Sequence, residues 1–225
     1  MDFQAFHAVL TGDVVGSRRL PAGERQHLLV VLRDAGQDLQ SAFSPSIPFP
    51  PTIFRGDSWQ FLSADPVASL RQGLYYRARV KAGMESNRVD TRFSLAIGKI
   101  DFLPPEGPAA GAGQAFNLSG QGLDEMDRHA YLRICFPPTF DSDLALALEA
   151  GGRLIDRLAQ EWTDRQALAV SGALLDLTQA RIAQTTFKGQ VTQQAVAQHL
   201  ASAGWPAILS GLEAFETIVS RRFRQ

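Results

Sequence analysis

Up to about residue 141 the apolar residues form short runs that alternate with helical stripes, and beyond it they form helical stripes alone. Phe6–Thr11 is an apolar run closed by Gly12, which predicts a buried strand. Gly16, Ser17 and Pro21 separate it from Leu28, Val31, Leu32, Ala35, Leu39 and Phe43, whose three- and four-residue steps predict an amphipathic helix on a sheet. Ser44–Pro51 holds four prolines in eight residues, too many for a regular element. Thr52–Phe54 and Trp59–Leu62 flank Arg55-Gly56-Asp57-Ser58, a tight-hairpin signal because glycine accepts positive φ. Asp65-Pro66 opens a second helix, with aspartate as N-cap, that runs through Leu70, Leu74 and Ala78 to about Met84. Arg92–Phe102 alternates toward a strand with Phe93, Leu95 and Ile97 on its apolar side, and Gly98 marks a bulge or a close approach. After a Pro/Gly/Ala-rich loop at 103–113, Gln114–Arg128 reads as a helix and Leu132–Phe136 as a strand stopped by Pro137-Pro138.

The resulting order is strand, helix, hairpin, helix, strand, helix, strand. It predicts an α+β sandwich of the split βαβ type, with helices on one face of a mainly antiparallel sheet. Residues 1–141 would form this domain and 142–225 a helical one. In the second part, Leu154, Ile155, Leu158 and Trp162 continue into Gln166, Leu168 and Val170, a long connecting helix or helix pair. Leu177–Gln184 and Val191–Leu200 then read as two short helices across a six-residue gap, with Thr192 as the N-cap of the second.

Composition adds exclusions. The 225 residues are 45% hydrophobic and 20% charged, as expected of an ordinary globular chain. Cys135, the one cysteine, removes any intramolecular disulfide or cysteine-based zinc site and reads as a buried strand residue. The four histidines show no metal-ligand spacing, and there is no P-loop motif. No leader-like or membrane-spanning run occurs, which predicts a cytoplasmic protein without a membrane partner. The net charge of -1 conceals an asymmetry: from Ser171 onward five basic residues face three acidic ones, so the basic bias sits at the C-terminus.

Candidate chemistry concentrates in two Gly-Asp steps, Gly12-Asp13 and Gly56-Asp57, each at the end of an apolar run. If those runs are neighbouring strands, the carboxylates converge and repel unless a cation lies between them. Oxygen-only ligation of this kind suits Mg²⁺ or Mn²⁺ completed by water and phosphate. Asp13 and Asp57 are therefore the candidate metal ligands. Ser17 and the backbone amides of Val14, Val15 and Gly16 could cradle a phosphate if the next helix starts nearby, the alternative being a plain loop. Arg18 and Arg19 could neutralise phosphate charge, and Lys99, at a strand end, is a similar candidate. Gly56 shapes the hairpin. Asn117 could bond a ribose or base, or cap the following helix.

These residues carry a resemblance. Asp13-Val14-Val15-Gly16-Ser17 resembles the first metal-binding segment of class III nucleotide cyclases, and the Gly56-Asp57 hairpin resembles their second metal aspartate. Phe93–Gly98 and Gly113–Ser119 resemble the later cyclase strand and the segment that reaches the nucleotide. The whole chain is similar to the SatD family of bacterial proteins, which join a cyclase-like domain to a C-terminal helix-turn-helix. Gly12, Asp13, Ser17 and Arg18 match the first motif of that family, and Gly56 and Asp57 the second. The resemblance implies a cyclase/palm-like (ferredoxin-like) fold, Mg-dependent nucleotide binding and, by analogy with cyclases, a homodimer. Gln121 stands where cyclases carry a transition-state arginine, and a neutral amide cannot offset developing negative charge.

The helix-turn-helix pattern points to DNA as a partner. Gln193, Gln194 and Gln198 would face outward on the second helix, where glutamine can pair with adenine in the major groove. Arg181, Lys188, Arg221, Arg222 and Arg224 would contact phosphates. The expectation is a nucleotide-regulated transcription regulator. Two alternatives stay open: an active nucleotidyl cyclase or related phosphoryl-transfer enzyme, and an inert interaction module whose helical part is a bundle.

Overall fold

The computed structural model describes residues 5–84 and 89–223. Arg224 lies outside them. The first half runs β1 (His7–Val15), α1 (Ala22–Ala42), β2 (Thr52–Phe54), β3 (Ser58–Ser63), α2 (Ser69–Gly83), β4 (Asp90–Gly98), α3 (Gln114–Asp124) and β5 (Leu132–Cys135). This is the element order predicted from periodicity. The strands form one five-stranded mixed sheet in the order β2-β3-β1-β4-β5, antiparallel except for the β4–β5 pair.

Two boundaries differ from expectation. Asp65 does not cap α2; its carboxylate accepts the amide of Val67, and the helix starts at Ser69. More consequentially, β1 does not stop at Gly12 but continues through Asp13 to Val15. The predicted single helical face is also replaced by two. Ala8, Leu10 and Val14 pack with α1 and α2 on one side, whereas Val9 joins Ala115 and Phe116 of α3 on the other. Gly98 is a close approach rather than a bulge, because a Cβ there would meet the Ala115 amide nitrogen at 2.9 Å.

Gly12 owes its identity to packing. Trp59, fully buried, lies across it from the neighbouring β3, and a Cβ at Gly12 would stand 2.4 Å from the indole and 2.5 Å from the Arg92 carbonyl oxygen. The indole N–H donates to Thr91 Oγ1 at 2.7 Å, and that hydroxyl donates to the Asp13 carbonyl at 2.8 Å. One tryptophan thereby sets the spacing of β1, β3 and β4.

The helical half contains α4 (Ser142–Gln160), α5 (Asp164–Ala173), α6 (Gln179–Arg181) running into a π-helical turn at Ile182–Thr186, α7 (Gln193–Ser202) and α8 (Trp205–Phe223). Its apolar residues join those of the sheet in a common core, from Leu148 and Ile155 on α4 to Val196 on α7 and Phe215 on α8. The position at 141/142 therefore marks a change of secondary structure within continuous packing. α4 also shields the free edge of the sheet: the Ile134 amide of edge strand β5 donates to Glu149 Oε2 at 2.6 Å.

Between the two halves lies a buried ionic cluster that periodicity did not reveal. Arg77 on α2 has no exposed surface and bonds Asp90 at 2.9 and 2.8 Å and Asp156 of α4 at 2.7 Å. Lys81 adds a bond to Asp90 at 3.1 Å and to the carbonyls of Ala159 and Gln160. Asp156 also accepts the Tyr131 amide at 2.7 Å. Burial works against the Arg77 charge, yet the two carboxylates outweigh it and hold its pKa above the ordinary value.

Tyr76, next to Arg77, is fully buried and donates to the Leu32 carbonyl at 3.2 Å. Burial pushes its pKa well above that of a free tyrosine. The unfolded chain ionises this phenol near pH ~10 while the folded chain keeps it protonated, so stability falls as pH rises above about 10. Denaturant midpoints measured at neutral and strongly alkaline pH should show the loss, and Tyr76→Phe should reduce its steepness.

Candidate functional site

The strand register brings the two Gly-Asp steps together. Asp13 pairs across to Ser58 on β3 and to Arg92 on β4. Asp57 sits in the β2–β3 hairpin, whose backbone turns through positive φ at Arg55 and Gly56. The Val14 amide donates to the Asp57 carbonyl at 3.2 Å, and the Ser17 hydroxyl donates to the Asp57 carboxylate. Both aspartates therefore lie at the Val15 end of the central strand, within reach of the turn that follows it.

Their environments differ from a pair of bare turn carboxylates. Because β1 continues past Gly12, Asp13 is a strand residue, half-buried, and it faces a cross-strand arginine. Arg92 Nε and the terminal nitrogen Nη2 take its two oxygens at 2.8 and 2.9 Å. That bond to Asp13 raises the Arg92 pKa. A guanidinium fork uses one lone-pair direction on each oxygen and leaves the others open. Asp57 likewise spends one oxygen on Ser17. Two carboxylates with free lone pairs are what Mg²⁺ asks of a protein when phosphate and water complete its shell. Among the described residues no cluster of three or more His, Cys, Asp or Glu side chains is placed to hold a metal ion, so any metal here needs oxygen atoms from a ligand.

The turn after β1 provides a small concave backbone. Gly16 is left-handed at φ 87° and leads into a 3-10 turn at Ser17–Arg19. An αL residue followed by helical ones points successive amides to one side, the form of an anion nest. The expected helix start is not there, since α1 begins only at Ala22, and the Val14 amide is already engaged by Asp57. Ser17 is buried, whereas Arg18 and Arg19 project into solvent beside the site.

Other candidates fall elsewhere. Lys99 follows Gly98, which pairs with His7 at the opposite end of β1 from Asp13, and its ammonium lies over the Phe6 ring. Six residue steps separate His7 from Asp13, about 20 Å at the rise of an antiparallel strand. Asn117 is the fourth residue of α3, exposed, and therefore caps nothing. It precedes Ser119, which reaches Thr11 at 2.6 Å in mid-strand, so it stands on the Lys99 side of that contact. Gln121 bonds Glu125 at 2.7 Å on the exposed flank of the same helix.

Sequence reading missed Arg92 and the polar row beside it. Thr11, Gln60 and Ser94 share the face that carries Asp13, with the Gln60 amide donating to Thr11 at 2.8 Å and Ser119 bridging Thr11 to the Ser94 carbonyl. The alternation that places Phe93, Leu95 and Ile97 inward puts Arg92 and Ser94 on this face, but only the register pairs Arg92 with Asp13. Cys135 ends β5 half-buried; burial raises its pKa and holds it as a thiol.

In the helical half, Thr178 and Thr192 cap α6 and α7 by accepting the amides of Arg181 and Ala195. Gln193, Gln194 and Gln198 are exposed on α7, and Val196 and Leu200 are buried beneath them. Arg181, at the end of α6, and Lys188, in the segment before α7, are exposed as well. Arg221 and Arg222 are not beside them: they lie in the last turn of the 19-residue α8, roughly 25 Å along its axis from the α7 end. Phe223 next to them packs on Phe6, Phe136 and Phe140 at the far end of the sheet. Among the described residues no helix is long and apolar enough to cross a membrane. Against known proteins the chain matches no family model, no curated protein and no solved structure.

Proposed function

We propose that the protein binds a nucleotide together with Mg²⁺ or Mn²⁺ at the Val15 end of its sheet, as a cyclase-like regulatory domain of the SatD type, and that α6 and α7 present this state to DNA. The observation that carries the reading is the placement of Asp13 on β1 and Asp57 in the adjoining hairpin at one end of the sheet, beside the Gly16–Ser17 turn. The strand order β2-β3-β1-β4, with crossovers through α1 and α2, is the order of a split βαβ unit and supports the cyclase-like part. Asp13 and Asp57 would hold the cation, which would offset phosphate charge; the amides near Gly16, with Arg18 and Arg19, would take the phosphates. Gln121, turned toward Glu125, supplies no positive charge and favours binding over turnover.

A thermal-shift and calorimetry series with ATP and GTP in Mn²⁺ tests this. A ligand at a hundredfold its Kd stabilises by about 2.7 kcal/mol, roughly 5–10 °C for a chain of this size. Asp57→Ala and Asp13→Ala should each abolish the shift. An inert module is the second reading, favoured by the fact that Arg92 and Ser17 already occupy both carboxylates. No nucleotide-dependent shift at any metal concentration would select it.

A further inference from the structure

Helix α4 is apolar on both sides. Its inner face sends Leu148, Ile155 and Ala159 into the core. On the opposite side Leu146 and Leu154 are 71% and 72% exposed, with Ala147 and Ala150 exposed between them. A helix hydrophobic all round is normally covered all round. At 100° per residue, positions 143, 146, 147, 150, 153, 154 and 157 fall on one outer stripe.

That stripe is self-complementary. About Ala150 its leucines are symmetric and its end charges complementary: Leu146 is as far on one side as Leu154 on the other, Asp143 is matched by Arg157, and Ala147 is matched by Arg153, which bonds Glu149 of its own helix. A two-fold axis through Ala150, with two copies of α4 antiparallel, therefore sets Leu146 against Leu154 of the second copy and Asp143 against Arg157. Isologous pairing requires this kind of patch, one that complements itself. The small Ala150 allows close approach at the axis, and Ala147 leaves room for Arg153 of the second copy. We infer that α4 is a homodimer interface and that its occupant is a second copy of this chain.

The contact is one helix pair, below the area of a permanent interface, so association is reversible and concentration-dependent. It is independent of nucleotide binding. Sedimentation velocity of the full chain over a hundredfold concentration range should show monomer passing to dimer. Leu146→Glu with Leu154→Glu, both at exposed positions, should weaken the dimer at least about tenfold while circular dichroism stays unchanged. Asp143→Arg alone or Arg157→Asp alone should weaken it by placing like charges opposite, and the two together should restore it. In a Cys135→Ser background, Ala150→Cys should cross-link under oxidation, because the axis brings this residue against itself. A monomer at every concentration overturns the inference. So does a dimer that the leucine pair leaves unchanged, or a charge exchange that fails to rescue.

Discussion

Arg77→Ala should lower the stability of the protein by about 3–5 kcal/mol, because it leaves Asp90 and Asp156 buried without their counter-ion. Lys81 can answer only part of that charge: its bond reaches Asp90 and not Asp156. Denaturant unfolding would show the loss as a displaced midpoint with an unchanged slope. Arg77→Lys should recover little, since one ammonium cannot serve two carboxylates on different elements through a planar fork. Adding Asp156→Asn to Arg77→Met should be milder than Arg77→Met alone, because it removes a charge that the arginine had balanced. A double-mutant cycle in which the two losses simply add would refute the coupling. The cluster spans α2, β4, α4 and the approach to β5, so its failure should loosen both halves of the chain together.

The second large effect is expected at Gly12. An added methyl at 2.4 Å from the Trp59 ring and 2.5 Å from a backbone carbonyl cannot be accommodated by side-chain rotation alone. Gly12→Ala should cost about 1–3 kcal/mol of overpacking, at the upper end because backbone must move. Such a loss corresponds to a Tm lower by roughly 2–12 °C at this chain length. The displacement would also separate β1 from β4 next to the Asp13–Arg92 pair, so on the proposed function nucleotide affinity should fall along with stability. Unchanged unfolding in Gly12→Ala would contradict this account of the strand. Trp59→Phe in the same background should relieve part of the clash and recover part of the loss.

These two sites show where sequence was informative and where it was not. The order of elements was legible because each apolar run or stripe carries its own period, and Thr192 was legible as a cap because capping is local. The end of β1 was not. Gly12-Asp13 has the composition of a turn, but the glycine answers to a tryptophan 47 positions away that only sheet pairing brings near. Arg92 as the partner of Asp13 is likewise a property of register. The buried ionic cluster eluded reading because α2 shows a single apolar stripe, Leu70, Leu74 and Ala78, while its other sides are covered too; Gln72, Arg77 and Lys81 are buried by tertiary packing that their type disfavours. The tail arginines share a basic end of the sequence with α7, but the length of α8 carries Arg221 and Arg222 away from it.

Glu149 gives α4 a consequence for how the chain meets its own kind. An open sheet edge is a template on which strands of other molecules can continue, and such growth has no natural end. β5 is short, and its Ile134 amide is already bound by the Glu149 carboxylate, so one rung that an incoming strand needs is withheld. The same helix that lays an acidic side chain over the edge offers leucines on its outer surface. Contacts made there involve side chains and can close by symmetry, whereas contacts at the edge would have propagated into fibres.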